Sequence, residues 1–380
     1  MTEKESSIII LFEVTHQTPL IQSLLTNMRQ RGLSVDAWDA SLWKYVDKQT
    51  DNTKIYFRHL LHFLFRIPKA GTVIRRFLGY FVLKNIVAKY DVVDIHFFSP
   101  TYYQLLNQLI SQKKDYKITV WGSDYYRASH IQKNKQKYYY ENAKIIHIGT
   151  REMREDFLKY LPAVSKKIRL ARFGISQLGY IDNCINNNKT ILPLNLSQNK
   201  IIITCGYNGS KGQQHECIIN AMANLRNDQK DRILLLFPMT YGVSKGYIEK
   251  IRKQLLQSKI SHHIFSSFLS KEENAELRVV TDIVVNIQVT DALSGSLQEH
   301  LYAENILLVG NWLPYQIFDE NGIFYLKTSI ENLGNNISYC IDNLEMLKQR
   351  TKDNHIKIKK LSSWESISSS WVDIYNELLS

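Results

Sequence analysis

Apolar runs of strand length alternate with helically spaced patterns from one end of this chain to the other. Strands buried on both faces read as nearly continuous apolar runs, and parallel strands need crossover helices between them. The alternation therefore constrains the chain to an α/β fold with parallel sheets. Ile8–Val14 predicts a first buried strand, followed by a helix opened by Thr18-Pro19 and ended at Gly32. Ser34–Trp38, Asp91–Phe98, Lys117–Trp121, Lys144–Ile148 and Ile168–Phe173 continue the first unit. Residues 176–199 break the rhythm, and the polar stretch Asn183-Cys184-Ile185-Asn186-Asn187-Asn188 reads as a connection. A second unit follows with Ile201–Cys205, Ile233–Phe237, Ile283–Ile287, Ile306–Val309 and Ile323–Tyr325. Leu361–Leu379 predicts a closing helix with Trp364 and Trp371 on one face. The expected division is 1–175, a connection 176–199, 200–360, and a terminal helix 361–380 that crosses back to the first domain.

Two doubly wound units of similar size are expected to face one another across a cleft. In open α/β sheets ligands bind outside the carboxyl ends of the strands. The residues just after each strand are thus the first places to look for chemistry.

A chain of 380 residues is suited to two domains, and 44% hydrophobic with 22% charged residues is ordinary globular composition. The net charge of +12 is unevenly spread: residues 1–180 carry 28 Lys/Arg against 15 Asp/Glu, and residues 181–380 carry 20 against 21. The positive field belongs to the first half and points to an anionic partner met there. Cys184, Cys205, Cys217 and Cys340 have no CxxC spacing and are expected to be free thiols. The start is polar, with Glu3 and Glu5, and no uncharged apolar run reaches the roughly 18–20 residues of a membrane span. A cytoplasmic protein, peripheral on the inner face of the plasma membrane, is expected.

Gly206-Tyr207-Asn208-Gly209-Ser210-Lys211-Gly212 lies between a strand and a helix. Glycines let a diphosphate approach the backbone, a helix amino end offers N–H groups, and Lys211 adds a charge. It is not a Walker loop, because GxxxxGK[ST] is absent. Asp291 through Glu299 follows another strand, with Ser294-Gly295-Ser296 at a second helix start. Glu299 stands where a carboxylate can accept hydrogen bonds from ribose hydroxyls; helix capping by serine is the plainer alternative.

Together these segments resemble the nucleotide-sugar domain of GT-B glycosyltransferases, above all retaining family 4, over roughly 170 residues. That family carries Gly-x-x-x-x-Lys-Gly after the domain's first strand, matched here by Gly206 and Lys211-Gly212, and then Glu-x7-Glu, matched in spacing by Asp291 and Glu299. The chain has Tyr207 where the family usually has Arg, and Asp291 where it usually has Glu. The resemblance implies two Rossmann-like domains, an acceptor-binding one over 1–175 and a nucleotide-sugar-binding one over 200–360. It gives Lys211, with Gly206 and Ser210, to the donor diphosphate, and Glu299 to the ribose. It gives Asp291 to the donor sugar, with Ser294, Gly295 and Ser296 beside the diphosphate.

Phe237-Pro238-Met239-Thr240-Tyr241-Gly242 is similar to a segment of the lipid-linked 4-acetamido-4,6-dideoxygalactose transferases. Those enzymes use a dTDP-sugar, extend a polyprenyl-diphosphate intermediate and are regarded as inverting. Tyr241 would there stack on a base or simply pack in its turn. In the first half, His16, His96 and Asp124 each follow or end a strand and would face the cleft. An inverting transferase needs such a group as base, whereas a retaining front-side mechanism lets the departing diphosphate take the proton.

Residues 52–90 hold eight basic residues, Arg66, Lys69, Arg75 and Arg76 among them, and no acidic one. Bulky apolar residues interleave with them, as suits an anionic membrane surface. A second run, Lys133, Lys135 and Lys137 beside Tyr138–Tyr140, adds to it. The expected partners are a UDP- or dTDP-sugar, a lipid-linked or glycan acceptor and an anionic membrane surface. No cofactor is expected, and no metal, because no DxD-like carboxylate pair is placed to bridge a diphosphate. No helix-turn-helix, zinc-finger or RNP pattern supports nucleic acid. A GT-B nucleotide-sugar epimerase and a non-catalytic scaffold are the alternatives.

Overall fold

The computed structural model describes residues 7–13, 18–40, 44–46, 70–187, 191–192, 200–291 and 293–380. It divides into two units, one of residues 1–174 with 367–380 and one of residues 175–366.

The first unit is built on seven strands: β1 Ser7–Phe12, β2 Ser34–Asp39, β3 Lys44–Val46, β4 Val92–His96, β5 Tyr116–Val120, β6 Ile145–Ile148 and β7 Ile168–Leu170. Their order is β3-β2-β1-β4-β5-β6-β7, and every pairing is parallel except β2 with β3. All five residues of β4 and of β5 are buried, which is why they read as continuous runs. The helix Thr18–Arg29 ends at Gly32, whose φ of 83° is open to glycine without strain. β3 escapes the sequence reading because Lys44-Tyr45-Val46 is too short to show a period.

The C-terminal helix Trp364–Leu379 returns to this unit, to which its residues from Ile367 onward belong. Trp371 and Tyr375 are fully buried there, and Trp371 Nε1 donates to the Arg172 carbonyl at 2.8 Å. Arg169 Nε donates to Glu377 Oε2 at 2.7 Å. The single helix expected over Leu361–Leu379 is in fact two, because Ser363 is extended (φ −74°, ψ 151°) and ends the Asn354–Ser362 helix.

The second unit has β8 Ile201–Cys205, β9 Ile233–Pro238, β10 His262–Phe265, β11 Ile283–Asn286, β12 Ile306–Gly310 and β13 Leu326–Thr328, all parallel, in the order β10-β9-β8-β11-β12-β13. Two expectations are corrected here. Residues 177–187 are a helix, Gln177–Asn187, not a bare connection. Leu178 and Ile181, three apart, form a buried stripe against the Lys271–Val280 helix, and the polar asparagines are its outer face. The last strand is Leu326–Thr328 in place of Ile323–Tyr325, paired with β12 through Leu308, Val309 and Gly310. Ile323 is instead buried between strands with Phe318 and Tyr315.

Candidate functional site

In the second sheet the strand order reverses between β8, which leads on to β9, and its other neighbour β11, which leads on to β12. The crevice outside the carboxyl ends of β8 and β11 is the topological switch point, where open α/β sheets bind ligands. Both glycine- and serine-rich segments singled out from sequence leave the sheet at this point.

Two glycines of the loop after β8, Gly206 and Gly209, leave no room for a Cβ. Gly206 has φ 68°, and a Cβ there would lie 2.9 Å from Gln213 Oε1. At Gly209 a Cβ would lie 2.2 Å from Val243 Cγ2. The Gly209 N–H donates to the Tyr241 carbonyl at 2.7 Å, which ties this loop to the segment after β9. Ser210 Oγ accepts from Gly212 N at 3.2 Å and starts a short 3-10 turn over Lys211–Gln213. The α-helix begins only at His215, after Gln214 in the left-handed region. Lys211 is exposed, with Nζ 5.9 Å from the centre of the Tyr247 ring. The Val289 N–H donates to the Gly212 carbonyl at 2.9 Å, so the two segments are joined directly.

A buried amide network beneath the loop was not legible as a motif. Gln213 Oε1 accepts from Tyr207 N at 3.1 Å, and Gln213 Nε2 donates to Gln288 Oε1 at 2.8 Å. Gln288 Oε1 also accepts from Tyr207 Oη at 3.0 Å. Tyr207 is thus committed to holding the loop against the end of β11.

The second segment starts the Gly295–Tyr302 helix. Its N-cap, Ser294, makes no side-chain capping bond, and among the described residues no other side chain caps its first turn. Asp291 Oδ2 accepts from Ser294 N at 3.0 Å and from Tyr315 Oη, which fixes the turn before the helix. Leu293 has φ 63°, an uncommon conformation for a branched residue. Strain of this kind clusters at ligand clamps.

Glu299, one turn into the helix, forms an ion pair with Arg278 of the Lys271–Val280 helix at 3.0 Å. Ser296 Oγ accepts from Arg278 Nη2 at 2.9 Å. Tyr241 is 46% exposed and stacks on the still more exposed Phe268, ring centres 6.0 Å apart and planes 8° from parallel. Burial, with the charges of Glu299 and Asp291, raises the Tyr241 phenol, and Arg278 and a hydrogen bond from Asn208 oppose them. Tyr241, Asp291, Arg278 and Glu299 therefore share one electrostatic neighbourhood. Arg278 has no local signal in the sequence beyond being a basic residue in an amphipathic helix.

Two candidates of the first unit are corrected by their burial. His96 is fully buried, and its Nε2 lies 2.9 Å from Asp94 Oδ2. Asp94 Oδ2 also meets Lys117 Nζ at 2.8 Å and Tyr375 Oη at 2.8 Å, and Oδ1 accepts from Thr119 Oγ1 at 2.9 Å. Trp371 stacks near the His96 ring and under Lys117 Nζ. His96 is thus part of a core charge cluster closed over by the C-terminal helix, not a base at an open strand end. Burial lowers its pKa, and the charge of Asp94 and the hydrogen bond to it oppose that shift.

Asp124 is buried as well. Its Oδ1 accepts from Trp121 N at 2.9 Å and its Oδ2 from Phe98 N at 3.0 Å, joining the turns after β5 and β4. Burial pushes its carboxyl up to about 6, against the pull of those backbone N–H groups. Its oxygens are occupied in holding two loops. His16, Arg66 and Lys69 lie outside the described residues, as do the side chains of Arg75 and Arg76, whose backbone belongs to the Ala70–Val87 helix. Among the described residues no helix is long and apolar enough to cross a membrane, and no group of three His, Cys, Asp or Glu is gathered as metal ligands. All four cysteines are unpaired thiols.

No protein-family model and no curated protein sequence matches the chain. Among solved structures it is similar to a glycosyltransferase from Rickettsia africae ESF-5, with 13% identity, 99% of both chains covered and a TM-score of 0.71. It is similar to sucrose-phosphate synthase from Thermosynechococcus elongatus, with 13% identity, 98% of this chain and 99% of that one covered, and a TM-score of 0.70. HepE of Anabaena, solved in complex with UDP and glucose, matches at 9% identity, over 98% and 99% of the chains, with a TM-score of 0.66. The chain therefore has the GT-B glycosyltransferase fold, two α/β units built on parallel sheets.

Proposed function

We propose that the protein is a glycosyltransferase that takes a sugar from a UDP- or dTDP-sugar and moves it to a lipid-linked glycan acceptor at an anionic membrane surface. The observation that carries the donor half is the amino end of the Gly295–Tyr302 helix, with no N-cap side-chain bond, beside a loop in which Gly206 and Gly209 leave no room for a Cβ, both at the switch point of the second sheet. Free N–H groups at a helix start favour a diphosphate. In this reading Lys211 neutralises the diphosphate, Glu299 accepts from the ribose, and Tyr241 with Phe268 forms a platform for the base. Asp291, tied to Ser294 and Tyr315, is directed to the donor sugar. UDP bound to HepE supports a nucleotide ligand for this fold.

The acceptor half is supported by sequence: the acid-free basic stretch over residues 52–90 and the positive surplus of the first 180 residues. Each basic residue near an anionic surface contributes about 1 kcal/mol. Reversing Arg66, Lys69, Arg75 and Arg76 to Glu is expected to abolish sedimentation with vesicles containing acidic lipid, and transfer onto a lipid-extractable acceptor. Donor affinity is expected to survive the change. Parent protein that ignores such vesicles at low salt, or full lipid-acceptor turnover after the reversal, contradicts the membrane half. A parent that converts the donor sugar to an epimer with no acceptor present points to the epimerase instead.

A further inference from the structure

Glu299 is held in a way its sequence position does not announce. Arg278 Nε and Nη2 both reach the same carboxylate oxygen, Oε2, at 3.1 and 3.0 Å. A fork spread over both oxygens is a frequent arrangement of an Arg–carboxylate pair. Here Oε1 accepts from none of the described residues. A Cβ placed on the exposed Gly295 would lie 4.0 Å from Oε1, so that oxygen lies against the head of the helix.

The guanidinium is itself fixed on its inner side. Its side chain is 5% exposed, Nη2 also donates to Ser296 Oγ at 2.9 Å, and the Arg278 carbonyl accepts from Asn305 Nδ2 at 2.8 Å. Nη1 is buried with no hydrogen-bond partner. Buried donors are rarely left without a partner, and one that persists calls for an explanation.

We infer that Arg278 is a positioning residue for the donor nucleotide: by gripping Oε2 it turns Glu299 so that Oε1 is presented to the ribose hydroxyls. The inference rests on the donor reading above. It makes Arg278 and Glu299 one functional unit contributed by two helices. A lysine could keep the charge but not the rigid fork that orients the carboxylate.

The test is a double-mutant cycle on the full chain, with dissociation constants for UDP and dTDP measured on the parent, Arg278→Lys, Glu299→Gln and the double variant. Each single variant is expected to lose roughly ten- to hundred-fold in affinity for the nucleotide that the parent binds. The double variant should bind no more weakly than Glu299→Gln, because Arg278 acts through that carboxylate. Inorganic pyrophosphate, which lacks the ribose, should bind all four proteins alike. Losses that multiply in the double variant, parental affinity in Arg278→Lys, or an equal loss for pyrophosphate overturn the inference while leaving the donor reading in place. A parent that binds neither nucleotide overturns the donor reading, and this inference with it.

Discussion

Replacing Asp94 by alanine is expected to destabilise the first unit by about 3–5 kcal/mol, the cost of leaving a buried charge without its partner. Asp94 gathers Lys117, His96, Thr119 and Tyr375 around one fully buried carboxylate, and the last of these comes from the C-terminal helix. Without it, the Lys117 ammonium would be left beside Trp371 and Tyr375 with only Thr119 Oγ1 to receive it. Urea unfolding followed by tryptophan fluorescence should show the first unit melting at a much lower midpoint. A shift below about 1 kcal/mol would mean that the cluster tolerates the loss by taking in water or by neutralising Lys117.

The same cluster gives the unit a direction of pH dependence. Burial alone would raise the Asp94 carboxyl, but His96 and Lys117, through their charges and hydrogen bonds, hold the group well below the ordinary 3.8. Burial lowers the pKa of His96, and of the buried His147, whose ring centre lies 4.3 Å from that of Trp371, below 6.5. All three shifts are downward, so the unfolded chain takes up protons before the folded one does. Stability contributed by the histidines is present above pH 6.5 and is lost as pH falls below it, and that from Asp94 is lost below pH 3.8. Asp124, raised to about 6, acts in the opposite sense, adding stability as pH falls from about 6 towards 4.

Lys211→Ala is expected to weaken binding of the donor diphosphate by roughly ten- to hundred-fold, the loss of a charge-assisted hydrogen bond. Folding stability should change by no more than about 0.5 kcal/mol, as for exposed substitutions elsewhere. The separation follows from the geometry. Lys211 is exposed, while the turn that carries it is held by others: Ser210 on Gly212, Val289 on Gly212 and Gly209 on Tyr241. Tyr207 is tied to Gln288 and carries no cation, so it does not share the diphosphate's neutralisation with the lysine. Equal affinity in variant and parent would remove Lys211 from the site.

Four of the six strands of the second sheet, and the two segments that leave it at the switch point, were legible because buried parallel strands leave continuous apolar runs and because glycine and serine mark the loops between them, whereas the short edge strand His262–Phe265 was not. Ile201–Cys205 is a strand with the bounds expected, and the eight-residue step from Asp291 to Glu299 spans one turn and one helix start. What pattern could not show was who stands behind those residues. Arg278 meets Glu299 from 21 residues away, and Gln288 meets Gln213 from 75. His96 looked like an open strand end because the residue that closes over its cluster, Tyr375, lies 281 positions beyond Asp94. The Gln177–Asn187 helix was hidden by its asparagines, which dilute the two-residue apolar stripe that seats it.

The claim that the second unit holds a nucleoside diphosphate is tested most directly by calorimetric titration of the full chain with UDP, dTDP and GDP. The site described here predicts saturable one-to-one binding of UDP or dTDP, in the range of roughly 1 μM to 1 mM common for enzyme substrates, and its loss in Lys211→Ala. Absence of binding for all three nucleotides up to millimolar concentration, or undiminished binding in the variant, would contradict it.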